Sequence, residues 1–288
     1  MPKPKILLQL DGDPQASVFD SVVAVDASVD HLLRHSGVKS ADVRNLIHGA
    51  LFTRGLDEQR RTAVFIGGGN VSEGEKLLAA CVASFFGPFR VSVLLDSNGA
   101  NTTAAAAVLS AAAHLDLKQA TALVLGGTGP VGQRVVRLLA GEGAAVRVGS
   151  RAADRAAEVC ASVQERVPNA RLEPVGTPDA ALTKAALEGV SLVVAAGAAG
   201  VELLSAEARR GSSALRVAVD LNAVPPLGLG GVEATDRGKE RDGVACYGAL
   251  GVGSLKMKIH KAALRRLFKS NDQVLDAEEV FALGRELV

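Results

Sequence analysis

A strand, a glycine turn, a helix and a second strand, predicted in that order within residues 121–151, constrain the fold more than any other feature of this chain. The apolar run 122–125 enters a Gly-x-Gly-x-x-Gly pattern at 127–132, and the apolar run 144–148 follows a helical segment. In such a turn the first glycine permits a tight bend, the second lets the backbone approach a pyrophosphate, and the third lets the helix pack against the strand. The alternative is a merely structural turn. We predict a dinucleotide site at the start of the helix, formed by Gly127, Thr128, Gly129, Pro130, Val131 and Gly132.

The residues after the second apolar run bear on the choice between NAD and NADP. Many NAD sites place an acidic residue here, which accepts hydrogen bonds from the ribose and repels a 2′-phosphate. This chain has Ser150 and Arg151 instead, with Arg155 one helical turn further on. A guanidinium offers a phosphate a planar, permanently charged fork of donors. The sequence therefore favours NADP over NAD, against the alternative that both arginines are solvated charges at a helix start.

Composition and charge exclude several other kinds of function. The 288 residues include 32 Lys plus Arg and 31 Asp plus Glu, so no net field attracts nucleic acid or an anionic membrane. With eight Phe, one Tyr and no Trp, base stacking on aromatic side chains is not expected. The three Cys and five His show no metal-ligand spacing. Sparse cysteines, no secretory pattern and no bilayer-length apolar stretch predict a cytoplasmic protein with reduced thiols.

Strand-like and helix-like segments alternate along the chain, which predicts an α/β protein of two domains with a cleft between them. Residues 1–105 form a smaller α/β domain, and residues 115–250 form a Rossmann-type domain with a doubly wound parallel sheet. Residues 250–269 are a connecting helix at the cleft. A doubly wound domain needs no further tail, so residues 270–288 are assigned to the first domain, which becomes discontinuous. The predicted elements include strands at 6–10, 62–66, 91–95, 172–175, 191–195 and 217–219, and helices at 19–33, 41–52, 100–115, 250–268 and 275–287.

A polar loop, DSNGANTT at 96–103, stands between a predicted strand and an alanine-rich helix. Ligands of α/β proteins bind beyond the carboxyl ends of strands, and this loop occupies such a position. Its short side chains suit the amide-like edge of a heterocycle, although a helix cap alone would account for two of them. We predict that the loop binds substrate through Asn98, Asn101, Thr102 and Thr103.

Two charged clusters lie near other predicted helix starts. Asp20 either favours a helix N-terminus or neutralises a cation in the cleft. Lys256 and His260 are four residues apart and share a helix face, where a solvated surface is the ordinary alternative. The glycines at 248, 251 and 253 indicate close approach by another chain segment or a ligand.

Two loops that follow predicted Rossmann strands are expected to line the nicotinamide half of the site. Ala196 and Gly197 follow one strand, and Asn222 lies in the segment DLNAVPP after the next. Small residues at these positions would allow the ring to lie flat. We predict that Ala196, Gly197 and Asn222 contact the cofactor.

Several long motifs carry a family resemblance over nearly the whole chain: SVFD, FFGPFRVSVLLD, DSNGANTTAAA, VLGGTGPVGQR, VAAGAAGVELL, DLNAVPPLGLGGVEATDRGKE and GALGVGSLKMKIH. Together they strongly resemble the bacterial NAD(P)-dependent methylene-tetrahydromethanopterin dehydrogenases of one-carbon metabolism. The NADP-dependent branch, some members of which also accept methylene-tetrahydrofolate, is the most similar. The arginine of that family after the second strand is matched by Arg151, whereas Ala152 stands where relatives can carry a basic residue.

The resemblance implies a two-domain α/β subunit, a pterin bound over the nicotinamide in the interdomain cleft, and a homo-oligomer, either a trimer or a hexamer. It implies active-site roles for Lys256, His260 and the Asn/Thr loop. We accordingly assign Lys256, Asp20 and His260 as catalytic and Phe19 as substrate-binding.

The implied reaction removes a hydride from the methylene carbon between two pterin nitrogens and gives it to NADP⁺. No proton need move, so alignment and exclusion of water are the expected contributions of the protein. An ammonium beside the new methenyl cation would oppose its formation. Lys256 is therefore expected to bind a pterin carbonyl, to pair with a carboxylate such as Asp20, or to be neutral.

Other functions remain compatible with these residues. A built-in methenyl cyclohydrolase activity would need a base for water, and Lys256 or His260 could serve. An NADP-sensing protein without catalysis would bind the nucleotide alone. A relative of the shikimate or quinate dehydrogenases would share the two-domain plan.

Overall fold

The computed structural model describes residues 3–288. Within that range the chain divides into two α/β units. Unit 1 contains the residues up to Thr102 together with Met257–Leu287, and unit 2 contains Thr103–Lys256 with Val288. No helix within residues 3–288 is both long and apolar enough to cross a bilayer.

Strands and helices alternate along most of the chain. The strands are β1 (Ile6–Leu10), β2 (His31–His35), β3 (Thr62–Ile66), β4 (Ser92–Leu95), β5 (Thr121–Leu125), β6 (Ala145–Ser150), β7 (Arg171–Gly176), β8 (Leu192–Ala195), β9 (Val217–Asp220), β10 (Arg237–Arg241), β11 (Val244–Tyr247) and β12 (Val274–Leu275). The helices are α1 (Val18–Asp26), α2 (Ser40–Phe52), α3 (Leu56–Gln59), α4 (Val71–Ala83), α5 (Ala100–Ala112), α6 (Pro130–Gly141), α7 (Ala153–Arg166), α8 (Ala180–Ala186), α9 (Ala206–Arg210), α10 (Ala249–Arg266) and α11 (Ala277–Arg285).

Unit 1 is built on a parallel sheet with the strand order β12-β4-β3-β1-β2. Strands β3 and β4 are buried along their whole length, which explains their almost continuous apolar sequences TAVFI and SVLL. On one face, alternate strand residues pack with α2 and α4. This core includes Leu8, Leu10, Val64, Ile66, Val93 and Leu95 from the strands and Val43, Ile47, Leu51, Leu77 and Cys81 from the helices.

Unit 2 has the strand order β10-β11-β9-β8-β5-β6-β7. All neighbours are parallel except β10 and β11, which form an antiparallel hairpin at one edge. The chain runs outward from β5 through β6 to β7, and then returns to place β8 on the other side of β5. This reversal is the topological switch point of a doubly wound sheet, and it confirms the predicted fold class.

The structure corrects the predicted helix at 19–33. Helix α1 ends at Asp26, Ser28 adopts a positive φ of 65°, and residues 31–35 form the edge strand β2. The apolar residues at 22, 23, 25 and 29 fit a helical period, and only the last lies beyond the helix. A non-glycine residue with positive φ is uncommon, so a helix break at Ser28 has little signal in the sequence.

Two of the three glycines that precede Lys256, at 248 and 251, make room for another chain segment, whereas the close approach predicted at Gly253 is absent among the described residues. A Cβ placed on Gly248 would lie 2.0 Å from the carbonyl oxygen of Glu233, and one on Gly251 would lie 1.8 Å from that of Asp236. The turn that contains these carbonyls is held by Arg241, which donates to both carboxylate oxygens of Asp236 at 2.6 and 2.8 Å. Burial opposes ionisation of Asp236, but the hydrogen bonds and charge of Arg241 outweigh it and hold the pKa of this carboxyl below its usual range. The space beside these glycines is therefore filled by another segment of this chain and not by a ligand.

Replacement of Gly251 by alanine should therefore displace the start of α10. We expect Gly251→Ala to lower the free energy of unfolding by about 1–3 kcal/mol, since the new methyl group meets rigid backbone. Gly253→Ala is the matched control, because no heavy atom of the described residues, apart from its own helix, lies within 4 Å of its Cβ position. That change should be neutral or stabilise by about 0.5–1 kcal/mol. Urea unfolding measures both, and equal losses would contradict this account of the helix start.

Candidate functional site

The glycine turn of unit 2 lies directly after β5, at the switch point of the sheet. Its positive φ, 71°, belongs to Gly126 rather than to Gly127, to which the sequence analysis assigned the tight bend. A Cβ on Gly126 would also lie 2.6 Å from the backbone of Gly197, so this position needs glycine for two reasons. Gly127 is instead confined by Val148 Cγ1 at 2.8 Å from its Cβ position.

Helix α6 starts close to this turn. A Cβ on Gly132 would lie 2.3 Å from the carbonyl oxygen of Gly126, and so the third glycine allows the close packing predicted for it. Gly129 is the N-cap residue and Pro130 occupies the first turn, where its missing N–H is not needed. A Cβ on Gly129 would be only in ordinary contact, 3.4 Å from Gly126 O. The first-turn N–H groups have no partner inside the helix and fit a pyrophosphate, with Thr128 and Val131 half-buried beside them.

The neighbouring strand ends beside this turn. Gly127 N donates to the carbonyl oxygen of Gly149 at 2.9 Å, and Ser150 is the last residue of β6. Ser150 is buried, and its hydroxyl accepts from Ala152 N at 3.3 Å. Arg151 and Arg155 are exposed and follow at the start of α7. A serine hydroxyl and two guanidinium groups at this strand end are a donor set suited to a phosphate.

Two further loops follow strands at the same edge of this sheet. Ala196 and Gly197 are half-buried after β8, and Ala196 N donates to Leu125 O at 2.8 Å. Asn222 follows β9 and is almost fully buried. Its side chain serves the loop itself, since Oδ1 accepts from Val224 N at 3.0 Å and Nδ2 donates to Pro226 O at 3.4 Å. The predicted contact between Asn222 and the cofactor stays a prediction. The hydrogen bonds of its side chain stabilise the loop in which it lies.

Asp220, the first residue of the DLNAVPP segment, organises this loop, a role that was not predicted. Its carboxylate is buried and accepts from Asn222 N at 2.9 Å and Leu229 N at 2.8 Å, which ties both ends of the loop together. Burial raises the pKa of this carboxyl, and the backbone N–H groups of Asn222, Leu229 and Gly228 partly offset the rise. The signal in the sequence that could have revealed this role is an aspartate at the end of a strand, followed by a loop of small residues and prolines.

The Asn/Thr loop of unit 1 is held by Asp96 at the end of β4. Asp96 Oδ1 accepts from Thr102 N at 3.0 Å, and Oδ2 accepts from the Thr102 hydroxyl at 2.7 Å. Asn101 is buried, and its amide donates to Leu95 O at 2.7 Å and Asp276 Oδ1 at 2.9 Å. Asn98 is exposed with a positive φ of 55°, a conformation that asparagine tolerates. Thr103 is half-buried on α5.

His260 lies beside this loop in unit 1. It is buried, with Nδ1 at 4.0 Å from Asp96 Oδ2. Its ring stacks on Phe65 with centroids 5.6 Å apart and a tilt of 28°, and Phe19 lies 6.5 Å away between centroids. Phe19 itself is half-exposed. The structure thus brings Phe19, Thr102 and His260 together around Asp96 and Phe65, two residues to which the sequence analysis gave no role.

Asp20 belongs to the same part of unit 1. Its backbone N–H donates at 3.2 Å to the hydroxyl of Ser17, which caps α1. A Cβ placed on Gly67 would lie 3.4 Å from Oδ2 of both Asp11 and Asp20, and 3.1 Å from Phe65 Cε1. Asp20 can therefore favour the N-terminus of α1 and also contribute its carboxylate to the site.

Lys256 lies on α10, four residues before His260, and is half-buried. By the division of the chain, Lys256 is grouped with unit 2 and His260 with unit 1. The pairing of Lys256 with Asp20 stays a prediction. Among the described residues, no group of three or more His, Cys, Asp or Glu could hold a metal ion.

Comparison with known sequences identifies one family and two relatives of nearly full length. Residues 18–98 match the family described as "Methylene-tetrahydromethanopterin dehydrogenase, N-terminal". A protein of Methylorubrum extorquens named "Bifunctional protein MdtA" is 45% identical over 285 residues, covering 98% of this chain and 99% of that relative. A second protein of the same organism, named "NAD(P)-dependent methylenetetrahydromethanopterin dehydrogenase", is 31% identical over 284 residues, which is 94% of each chain.

Two solved structures share the fold at low sequence identity. Quinate dehydrogenase from Corynebacterium glutamicum, in complex with NAD, has a TM-score of 0.57 and 13% identity, covering 99% of this chain and 100% of its own. Shikimate 5-dehydrogenase from Listeria monocytogenes has a TM-score of 0.54 and 13% identity, covering 99% of this chain and 96% of its own. At these identities the likeness concerns the fold alone.

Proposed function

The chain belongs to the methylene-tetrahydromethanopterin dehydrogenase family, and we propose that it oxidises methylene-tetrahydromethanopterin to the methenyl form with NADP⁺ as the hydride acceptor. The observation that carries the proposal is the glycine turn at the switch point of unit 2, with Ser150 and Arg151 at the adjoining strand end. Methylene-tetrahydrofolate is a second substrate in this proposal, because it carries the same reacting atoms. The functional unit is a homo-oligomer.

Unit 2 supplies the nucleotide contacts. The turn and the first N–H groups of α6 bind the pyrophosphate, and Ser150, Arg151 and Arg155 bind the 2′-phosphate. The loops at Ala196–Gly197 and Asn222 lie at the ends of the next strands and border the nicotinamide. When bound, the nicotinamide supplies an acceptor for a hydride with its electron pair.

Pterin contacts come from Phe19, Asn98, Asn101, Thr102 and Thr103, together with the three residues assigned as catalytic. Loss of hydride leaves the methylene carbon as a cation shared with two nitrogens, and no proton leaves or enters. The protein then acts by orienting the ring and excluding water rather than by acid–base chemistry. Lys256 binds a pterin carbonyl, while Asp20 offers negative charge that favours the cationic product. His260, the third residue assigned as catalytic, has its ring oriented by Phe65 and Asp96.

Steady-state assays of the purified chain test the proposal directly. Methylene-tetrahydromethanopterin with NADP⁺ should give an increase in NADPH absorbance, and NAD⁺ should support a lower kcat/KM. Absence of any pterin-dependent absorbance change, with nucleotide still bound, would identify the sensing protein instead.

The relative described as bifunctional is a reason to test a second activity. Methenyl pterin added without nucleotide should remain intact, whereas accelerated hydrolysis would indicate a cyclohydrolase.

The assignment of the 2′-phosphate contact predicts a change in cofactor preference. Arg151→Glu should raise the Kd of NADP by about 10–100-fold, because a charge-assisted hydrogen bond worth about 1.5–3 kcal/mol is replaced by repulsion. The Kd of NAD should change by less than about threefold. Arg166→Glu changes an exposed residue in the last turn of α7, the helix that begins just after Arg151; it carries the same charge change and should leave both values unaltered. Equal weakening of NAD and NADP by Arg151→Glu would rule out the contact.

The role of Lys256 predicts a selective loss of pterin turnover. Lys256→Ala should lower kcat/KM for the methylene pterin by about 10–100-fold, the loss expected for one hydrogen bond from a charged group. The Kd of NADP, measured by fluorescence titration, should remain within about twofold. Lys258→Ala, at an exposed position on the same helix, controls for the loss of charge. Normal turnover in Lys256→Ala would contradict the assignment.

A further inference from the structure

Helix α1 carries Phe19 and Asp20 but is only weakly fixed by apolar packing. Val18, Val22 and Val25, spaced to share one helix face, are 69%, 56% and 65% exposed. Within this helix, which lies entirely inside the described residues, Val23 and Ala24 are the buried ones. A surface helix usually owes its position to a buried apolar stripe. Some other interaction must therefore fix the first turn of α1.

A buried glutamine supplies part of that interaction. Gln9 lies in strand β1 and is 1% exposed, a setting in which an unpaired amide would be costly. Both ends of its amide are used on the first turn of α1. Nε2 donates to the carbonyl oxygen of Ser17 at 3.2 Å, and Oε1 accepts from the hydroxyl of Ser21 at 2.9 Å. The Ser21 hydroxyl also lies 2.8 Å from Ser17 O.

A buried aspartate holds the same residue from its other side. Asp11, which follows β1, is fully buried, and its Oδ2 accepts from Ser17 N at 3.0 Å. Its Oδ1 accepts from Asp13 N at 3.0 Å, which fixes the carboxylate in turn. Ser17 is thus held at its N–H by Asp11 and at its carbonyl by Gln9. The Ser17 hydroxyl completes the connection by accepting from Asp20 N at 3.2 Å.

We propose that Gln9 and Asp11 are positioning residues for the pterin site, which fix the first turn of α1 and through it Phe19 and Asp20. This inference rests on the proposed function. It states that greater motion of α1 weakens the binding of the pterin and leaves the binding of the nucleotide unchanged. Both residues are almost fully buried, and in this proposal they act through α1 rather than on the substrate. Their effect is to hold two site residues still when a substrate binds, and preorganisation of this kind improves both binding and alignment.

The competing explanation is that Gln9 is simply a buried residue that stabilises unit 1. The chain contains a matched control for it. Gln59, also in unit 1, is fully buried, and its Nε2 donates to Leu51 O at 3.1 Å. Its Oε1 accepts from Arg90 N at 3.4 Å and Asn271 Nδ2 at 3.3 Å. Gln59 has the same chemistry and burial as Gln9, but its bonds lead to other elements.

The experiment compares Gln9→Leu with Gln59→Leu. Both should lower Tm by several degrees, since each leaves buried hydrogen-bonding groups without a partner. Only Gln9→Leu should speed hydrogen exchange of the backbone amides in 18–26, by about tenfold or more. Only Gln9→Leu should raise KM for the methylene pterin by about tenfold, with KM for NADP within about twofold, because that nucleotide binds unit 2.

Ser21→Ala provides a milder variant should Gln9→Leu fail to fold. It removes the hydroxyl that Gln9 accepts from, and it should raise the same KM and the same exchange rates by a smaller factor. The double variant Gln9→Leu with Ser21→Ala should lose less than the sum of the two single changes, since both residues belong to one network; strict additivity would contradict that network.

Equal hydrogen-exchange rates of the amides in 18–26 for the two glutamine variants would overturn the proposal that Gln9 anchors α1. This measurement does not depend on enzyme activity. Faster exchange with an unchanged pterin KM would overturn the link to the pterin site. A wild-type chain without pterin turnover would instead refute the proposed function, and faster exchange in Gln9→Leu would still support the anchor. The two failures are thereby distinguished.

Discussion

Close approach of one backbone to another is the constraint on which both the nucleotide turn and the start of α10 depend. At Gly132 the helix lies against the carbonyl of Gly126, and Gly126 lies against Gly197 in the next strand-end loop. At Gly251 the start of α10 lies against Asp236 in the same manner. No side chain can occupy these spaces, so the absence of a Cβ is what allows the helices and loops to approach each other this closely. The N–H groups of α6 and the side chain of Lys256 take their positions from these contacts.

Buried polar side chains at strand ends provide a second kind of constraint. Asp96 follows β4 and holds the Asn/Thr loop, and Asp220 ends β9 and holds the loop that contains Asn222. Gln9 and Asp11 do the same for the first turn of α1. Each of these groups is nearly or fully buried and therefore requires its partners. Loops that carry function are mobile by default, and a carboxylate that accepts backbone N–H groups from a rigid strand end removes much of that freedom.

The sequence predicted most of this fold because its strongest signals are local. Buried parallel strands such as 62–66 have continuous apolar sequences, and the glycine pattern marks the switch point. The hairpin of β10 and β11 was missed, since RGKER at the sheet edge has no apolar alternation. Its turn, Asp242–Gly243 with φ values of 53° and 75°, carries the Asp-Gly signal that could have revealed it.

The candidate site was less accessible to sequence reasoning. Short polar loops at strand ends identified the general region, and Thr102 and His260 do meet around Asp96. The residues that support the site, such as Phe65 beside His260 and Gln9 beneath helix α1, look like ordinary strand positions in the sequence. Their role arises from partners outside their own strands, namely Ser17 and Ser21 for Gln9 and His260 for Phe65, and no periodicity encodes these contacts. The bend at Gly126 was not predicted for a related reason. The glycine motif begins one residue after the bend, and the bend was therefore assigned to the first glycine of the motif.

Strand β12 has a consequence for how this protein is made. It pairs with β4, and Asn271 just before it donates to the carbonyls of Pro88 and Arg90. All of unit 2 except Val288 is synthesised between these two partners. A nascent chain can therefore complete the Rossmann sheet while one edge of the other sheet, the apolar Ser92–Leu95, still lacks its neighbour. Until translation reaches Val274, that uncovered edge of β4 is open to pairing with the wrong strand, a hazard that the finished chain removes by adding β12.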